Sequence, residues 1–124
     1  MRLELLDLHR ALVEAERRDY ERERGRMTDR AFLAALISAP ELAWLNPLTS
    51  LIVRLEELLE EEPPRPAAVD DALAELRRLL RPAAEGEGFQ RKYDAALQRS
   101  PEVVVAHGRA VLALQKNRGQ TPIS

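Results

Sequence analysis

Four side chains in this sequence have chemistry beyond packing: His9, Glu16 and Tyr20 within the first twenty residues, and His107 near the far end. Positions 9, 12 or 13, 16 and 20 share one face of an α-helix, so an imidazole, a carboxylate and a phenol are directed the same way. Gathered with His107 inside a helical bundle, they would suit a small-ligand or haem pocket, and Glu16 with His107 would suit acid–base work. The spacing narrows these options. A di-iron carboxylate site needs paired Glu-x-x-His motifs and a zinc protease needs His-Glu-x-x-His, and neither occurs in a chain with two histidines and no cysteine. No metal or cofactor is therefore expected. Nucleophile elbows and phosphate-cradling loops are missing too: no serine lies in a Gly-x-Ser-x-Gly setting, and AEGEG is acidic with no Gly-Lys-Ser/Thr behind it.

Two further groups of residues are candidates for contact rather than chemistry. The stretch AFLAALISAPELAWLNPLTSLIV, residues 31–53, has Glu41 as its only charge, although 32% of the chain is charged. Its length would cross a bilayer. Pro40, Glu41, Asn46 and Pro47 in its middle argue against a span, because freed backbone groups and a carboxylate cost several kcal/mol each in hydrocarbon. The stretch reads instead as two apolar helices around a Pro-punctuated corner. Trp44 at that corner is either a plug in the core or, with Leu42, Leu45 and Leu48, an apolar surface for self-association or a protein partner. The second group is Arg91, Lys92, Arg99 and Arg109, with Phe89 and Tyr93 interleaved, the best footprint for an anionic partner. A net charge of −2 makes nucleic acid an unexpected ligand.

Helices must position all of these residues. Leu, Ala, Glu and Arg dominate and aromatic residues make up 4%, which favours an all-α fold, a compact antiparallel bundle of about five to six helices. Leucines at three- and four-residue spacing predict a first helix from Arg2 to Arg24, stopped by Gly25. Its end, RRDYERERGR, is polar nearly all round and is expected to project past the core or lie against solvent. Thr28 caps a second helix to Ser38 that buries Phe32, Leu33, Leu36 and Ile37. A short helix, Glu41 to Leu45, follows, and Asn46 as N-cap with Pro47 opens another to Glu61. The acidic, proline-rich EEEPPRP is the clearest linker. Helices from Ala67 to Leu80, Phe89 to Arg99 and Pro101 to Lys116 complete the set, the last capped by Ser100.

At 124 residues the expectation is one helical domain over residues 1–118, with a linker near 62–66, a loop near 82–88 and a disordered tail at 119–124. MRLELLDLHR carries Glu4 and Asp7 and no unbroken apolar run, so it does not read as a signal peptide, and a cytoplasmic location is expected. Residues 1–62 hold nine Arg and fourteen acids, whereas residues 63–124 hold ten basic and seven acidic residues. That asymmetry can help the halves, or two copies, pack together. The sequence as a whole reads as a non-enzymatic helical interaction or regulatory module, self-associating as a homo-oligomer. The alternative is the ligand-binding bundle built on His9, Glu16, Tyr20 and His107.

Overall fold

The leucine ladder of the first helix sets the frame. In the computed structural model, which describes residues 1–81, 83 and 88–119, α1 (Arg2–Arg24) buries Leu5, Leu8, Leu12 and Ala15 along one stripe. It ends where Gly25 takes a φ of 86°, a value that side chains resist, and donates its N–H to the Glu21 carbonyl. The stripe lies chiefly on α6 (Pro101–Gly119) and also on α3 (Asn46–Glu60). In turn α3 packs on α4 (Pro66–Leu79), while α4 and α5 (Phe89–Arg99) close against α6. One contiguous core results, running from Leu5 through Leu48, Leu76 and Tyr93 to Leu114. The described residues form an all-α helical bundle without strands.

The second helix, α2 (Asp29–Ser38), stands outside that core. Thr28 caps it, its hydroxyl accepting from the Ala31 N–H at 3.1 Å. Phe32 and Ala35 join Leu42 in a smaller cluster against Val13 and Tyr20 of α1. The polar end of α1 lies against solvent on one side, as at Arg18, Arg22 and Glu23, and α2 folds back beside the other, at Tyr20. Arg17 fastens the turn: its guanidinium donates to Glu21 at 3.1 Å, Asp29 at 2.9 Å and the Met27 carbonyl at 2.7 Å, and Glu21 also accepts from the Met27 N–H at 3.0 Å. Once Phe32 and Ala35 face α1, the helical period turns Leu33 and Ile37 away. Both were expected inside; they are 58% and 81% exposed.

The corner after α2 differs from expectation in one detail. Pro40–Leu45 is a 3-10 helix that runs straight into α3, with Leu45 and Asn46 both in helical geometry. Asn46 therefore caps nothing, since an N-cap needs extended backbone, and its own N–H is met by the Ala43 carbonyl. No single helix among the described residues is long and apolar enough to cross a membrane; α2 and residues 40–60 reach that length and composition only across a 77° bend.

Further along, the fork of Arg65 grips both oxygens of Glu61 at 2.6 and 2.8 Å, closing the proline-rich connection. Ser100 caps α6, accepting from the Val103 N–H at 3.3 Å. A Cβ at Gly108 would meet nothing within 4 Å, so no close helix approach explains that glycine. α6 extends to Gly119, and the rest of the expected tail, like most of the 82–88 loop, lies outside the described residues. Ion pairs between the two halves run in both directions: Arg99 meets Glu16 and Asp19, but Arg18 meets Glu102 and Arg54 meets Glu75.

Leu48 and Leu33 separate the buried from the exposed reading of the apolar stretch. In dilute solution Leu48→Ala lowers unfolding free energy by about 2–5 kcal/mol, and Leu33→Ala changes it by less than about 0.5 kcal/mol, measured by urea denaturation.

Candidate functional site

Trp44 leaves the corner half-buried, and its indole N–H needs an acceptor there. Glu16, one turn beyond Leu12 on α1, supplies it: Trp44 Nε1 donates to Glu16 Oε1 at 2.7 Å. The other carboxylate oxygen accepts from Arg99 Nη2 at the end of α5, while Arg99 Nε pairs with Asp19 at 2.7 Å. Glu16 is 12% exposed; its bond to Trp44 is partly buried, while the one to Arg99 lies at the surface. A cleft of about 290 Å³ opens above this clasp, lined by Glu16, Tyr20, Glu41, Lys92 and Arg99 among others. Arg24 bonds Glu41 across it and lies 4.1 Å over the Tyr20 ring, whose edge meets Phe32.

A line of rings leads inward from Trp44. Its ring is 5.3 Å from Phe89, Phe89 stacks on Tyr93 at 5.3 Å, and Tyr93 meets His107 edge to face at 5.3 Å. Tyr93 is fully buried, and its hydroxyl hydrogen-bonds His107 Nδ1. Burial pushes the Tyr93 phenol well above its ordinary range and pushes His107 down. The phenol therefore keeps its proton beside an imidazole whose neutral form is favoured. His9 lies elsewhere. Its Nε2 hydrogen-bonds Thr49 Oγ1 at 2.8 Å, Thr49 in turn donates to the Leu45 carbonyl at 3.2 Å, and burial lowers the His9 pKa as well.

The four residues expected to share a pocket are thus divided. Glu16 and Tyr20 line one cleft; His107 lines another, with Arg77, Leu80, Arg81, Val111, Leu114 and Gln115; His9 lines neither. The apolar surface expected around Trp44 is largely absent, because Leu42, Leu45 and Leu48 are core residues and only Trp44 reaches solvent. Leu42 joins the smaller cluster, and Leu45 and Leu48 join the main one. The basic group disperses too. Phe89 and Tyr93 are buried, Arg99 is neutralised by two carboxylates, Lys92 lines the acidic cleft, and Arg109 lines a separate one with Asp7, Glu14 and Glu102; Arg91 remains exposed on α5.

Sequence reading missed the Tyr93–His107 bond, the Thr49 partner of His9, and the placement of Arg77 and Arg81 beside His107. The first two join different helices, and no local pattern announces them. Arg77 and Arg81 match the α4 dipole, a sufficient local reason that conceals any other. Among the described residues, no three His, Asp or Glu side chains stand close enough to hold a metal ion. No family model matches the chain, and neither curated proteins nor solved structures include a match.

Both histidines are held neutral by burial, and the sign of the resulting pH effect follows. A histidine whose folded pKa is depressed stabilises the fold fully above its unfolded value of 6.5, and that contribution is lost as pH falls toward and through the folded value. From pH 7 to 5.5, above the range where carboxylates titrate, the wild-type melting temperature falls, and it falls less for the H9Q/H107Q double variant; thermal melts followed by circular dichroism read both slopes.

Proposed function

We propose that this chain is a cytoplasmic, non-enzymatic helical interaction module that pairs with a second copy of itself through the outer face of α2. The observation that carries this reading is the two-sided apolarity of that helix. From Ala31 to Pro40 there is no charged residue, yet Leu33 and Ile37 face solvent at 58% and 81% exposure while Phe32 and Ala35 are buried on the other side. A helix apolar all round belongs in an interior, and in one copy α2 is covered on one side only.

The polar groups support the same reading by their engagement. Glu16 holds Trp44 and Arg99, His9 holds Thr49, and His107 holds Tyr93, so each is occupied in joining one element to another. The expected haem or ligand set is spread over separate places and gains no support from this arrangement.

A second copy fits the face by its charges. Pairing two α2 helices antiparallel about a two-fold axis sets Leu33 of each beside Ile37 of the other. It also brings Arg30, which has no carboxylate within 4 Å among the described residues, toward Glu41 of the other copy. A ten-residue helix spans about 15 Å, so the interface is small and the dimer weak and concentration-dependent. Sedimentation equilibrium then finds monomer and dimer exchanging between about 10 μM and 1 mM, and L33E/I37E stays monomeric with an unchanged helical spectrum. A wild-type protein monomeric throughout that range, or a double variant that associates equally well, overturns the proposal.

A further inference from the structure

The cleft beside His107 differs in charge from those around it. It encloses about 260 Å³ between α4 and α6, with Leu80, Val111 and Leu114 as apolar wall and Arg77, Arg81, His107 and Gln115 as its polar groups. Among the described residues, no carboxylate lines it. The largest cleft has Glu75 in its wall, the one between α1 and α6 has Asp7, Glu14 and Glu102, and the one above the Glu16 clasp has four acids. In a chain with more acidic than basic residues, a wall whose described residues include two guanidiniums and no acid is an exception. Neither Arg77 nor Arg81 has a carboxylate within 4 Å among the described residues, although Arg17, Arg24, Arg65 and Arg99 each have one.

The geometry of these donors is matched to an anion. Arg77 sits in the last turn of α4 and Arg81 just beyond its C-cap Leu80, and both line the cleft. Across the cleft, Tyr93 occupies His107 Nδ1, which leaves Nε2 as the ring nitrogen open to a ligand, and with the phenol as donor Nε2 carries the hydrogen. Leu80 and Leu114 are almost fully buried and close the bottom of the cleft with hydrocarbon.

We propose that this cleft binds a small monocarboxylate with an apolar tail, the carboxylate held by Arg77 and Arg81 with the His107 N–H, and the tail laid against Leu80, Val111 and Leu114. A guanidinium fork matches a carboxylate in two parallel bonds, and the cleft volume matches a chain of about six to eight carbons. Octanoate is the probe. Titrated into the protein and followed by amide chemical shifts, octanoate saturates one site with a dissociation constant of about 1 mM or tighter, with shifts centred on His107 and Val111. Octanamide, equal in shape and uncharged, binds at least about tenfold more weakly, as does octanoate to R77Q/R81Q. The V111F variant, which fills the cleft without touching either arginine, removes binding while the rest of the spectrum is retained. Absence of saturation, equal binding of octanamide, unchanged affinity in R77Q/R81Q, or inorganic phosphate displacing octanoate without need of a tail would each overturn the assignment. The titration is independent of self-association, since the cleft shares no residue with α2.

Discussion

The carboxylate of Glu16 is the constraint on which the corner, and with it both apolar clusters, depends. An indole buried on one side must find an acceptor for its N–H or forfeit a hydrogen bond at a cost of about 1–3 kcal/mol. For Trp44 that acceptor comes from α1, and the same carboxylate takes a guanidinium from α5. Three elements distant in sequence are thereby fixed at one point. With Trp44 held, the 3-10 helix has one orientation, which directs Leu42 toward Phe32 and Leu45 toward the main core. Phe89 then stacks behind Trp44, Tyr93 behind Phe89, and the tyrosine hydroxyl hydrogen-bonds His107 Nδ1.

The clasp also explains why α2 is stable beside the bundle and yet separate from it. Its own buried residues are few, Phe32 and Ala35, and burying two such side chains contributes only a few kcal/mol. Arg17, holding the turn at three acceptors, and the Arg24–Glu41 pair attach its two ends to α1. An arm secured at its ends and apolar on its outer side is well suited to meet another surface without disturbing the core behind it.

How much of this was legible in the residues depended on range. Periodicity placed the helices to within a residue or two except at the end of α6, which runs three residues past Lys116, and caps at Thr28 and Ser100 were readable because a cap is a local event of three or four residues. Asn46 was misread for the same reason: the local sequence fits a cap, but the preceding 3-10 turn had already supplied an acceptor for its N–H. Leu33 and Ile37 were misread because an all-apolar helix offers no polar face to break the tie, and the choice was made by Arg17 twelve residues upstream of Asp29. The candidate site was less accessible still. His9, Glu16 and His107 could be recognised as polar groups on inward faces, but their partners Thr49, Trp44, Arg99 and Tyr93 lie on other elements, between 14 and 83 residues away.

Glu16 and Trp44 act as one interaction. A double-mutant cycle of E16A, W44F and the combination, by urea denaturation at pH 7, tests it directly, since phenylalanine keeps a ring against Phe89 and removes only the indole donor. The account predicts a coupling energy of about 1–2 kcal/mol, with the double variant less destabilised than the two single losses together. Additive losses, with coupling within about 0.3 kcal/mol of zero, would contradict it.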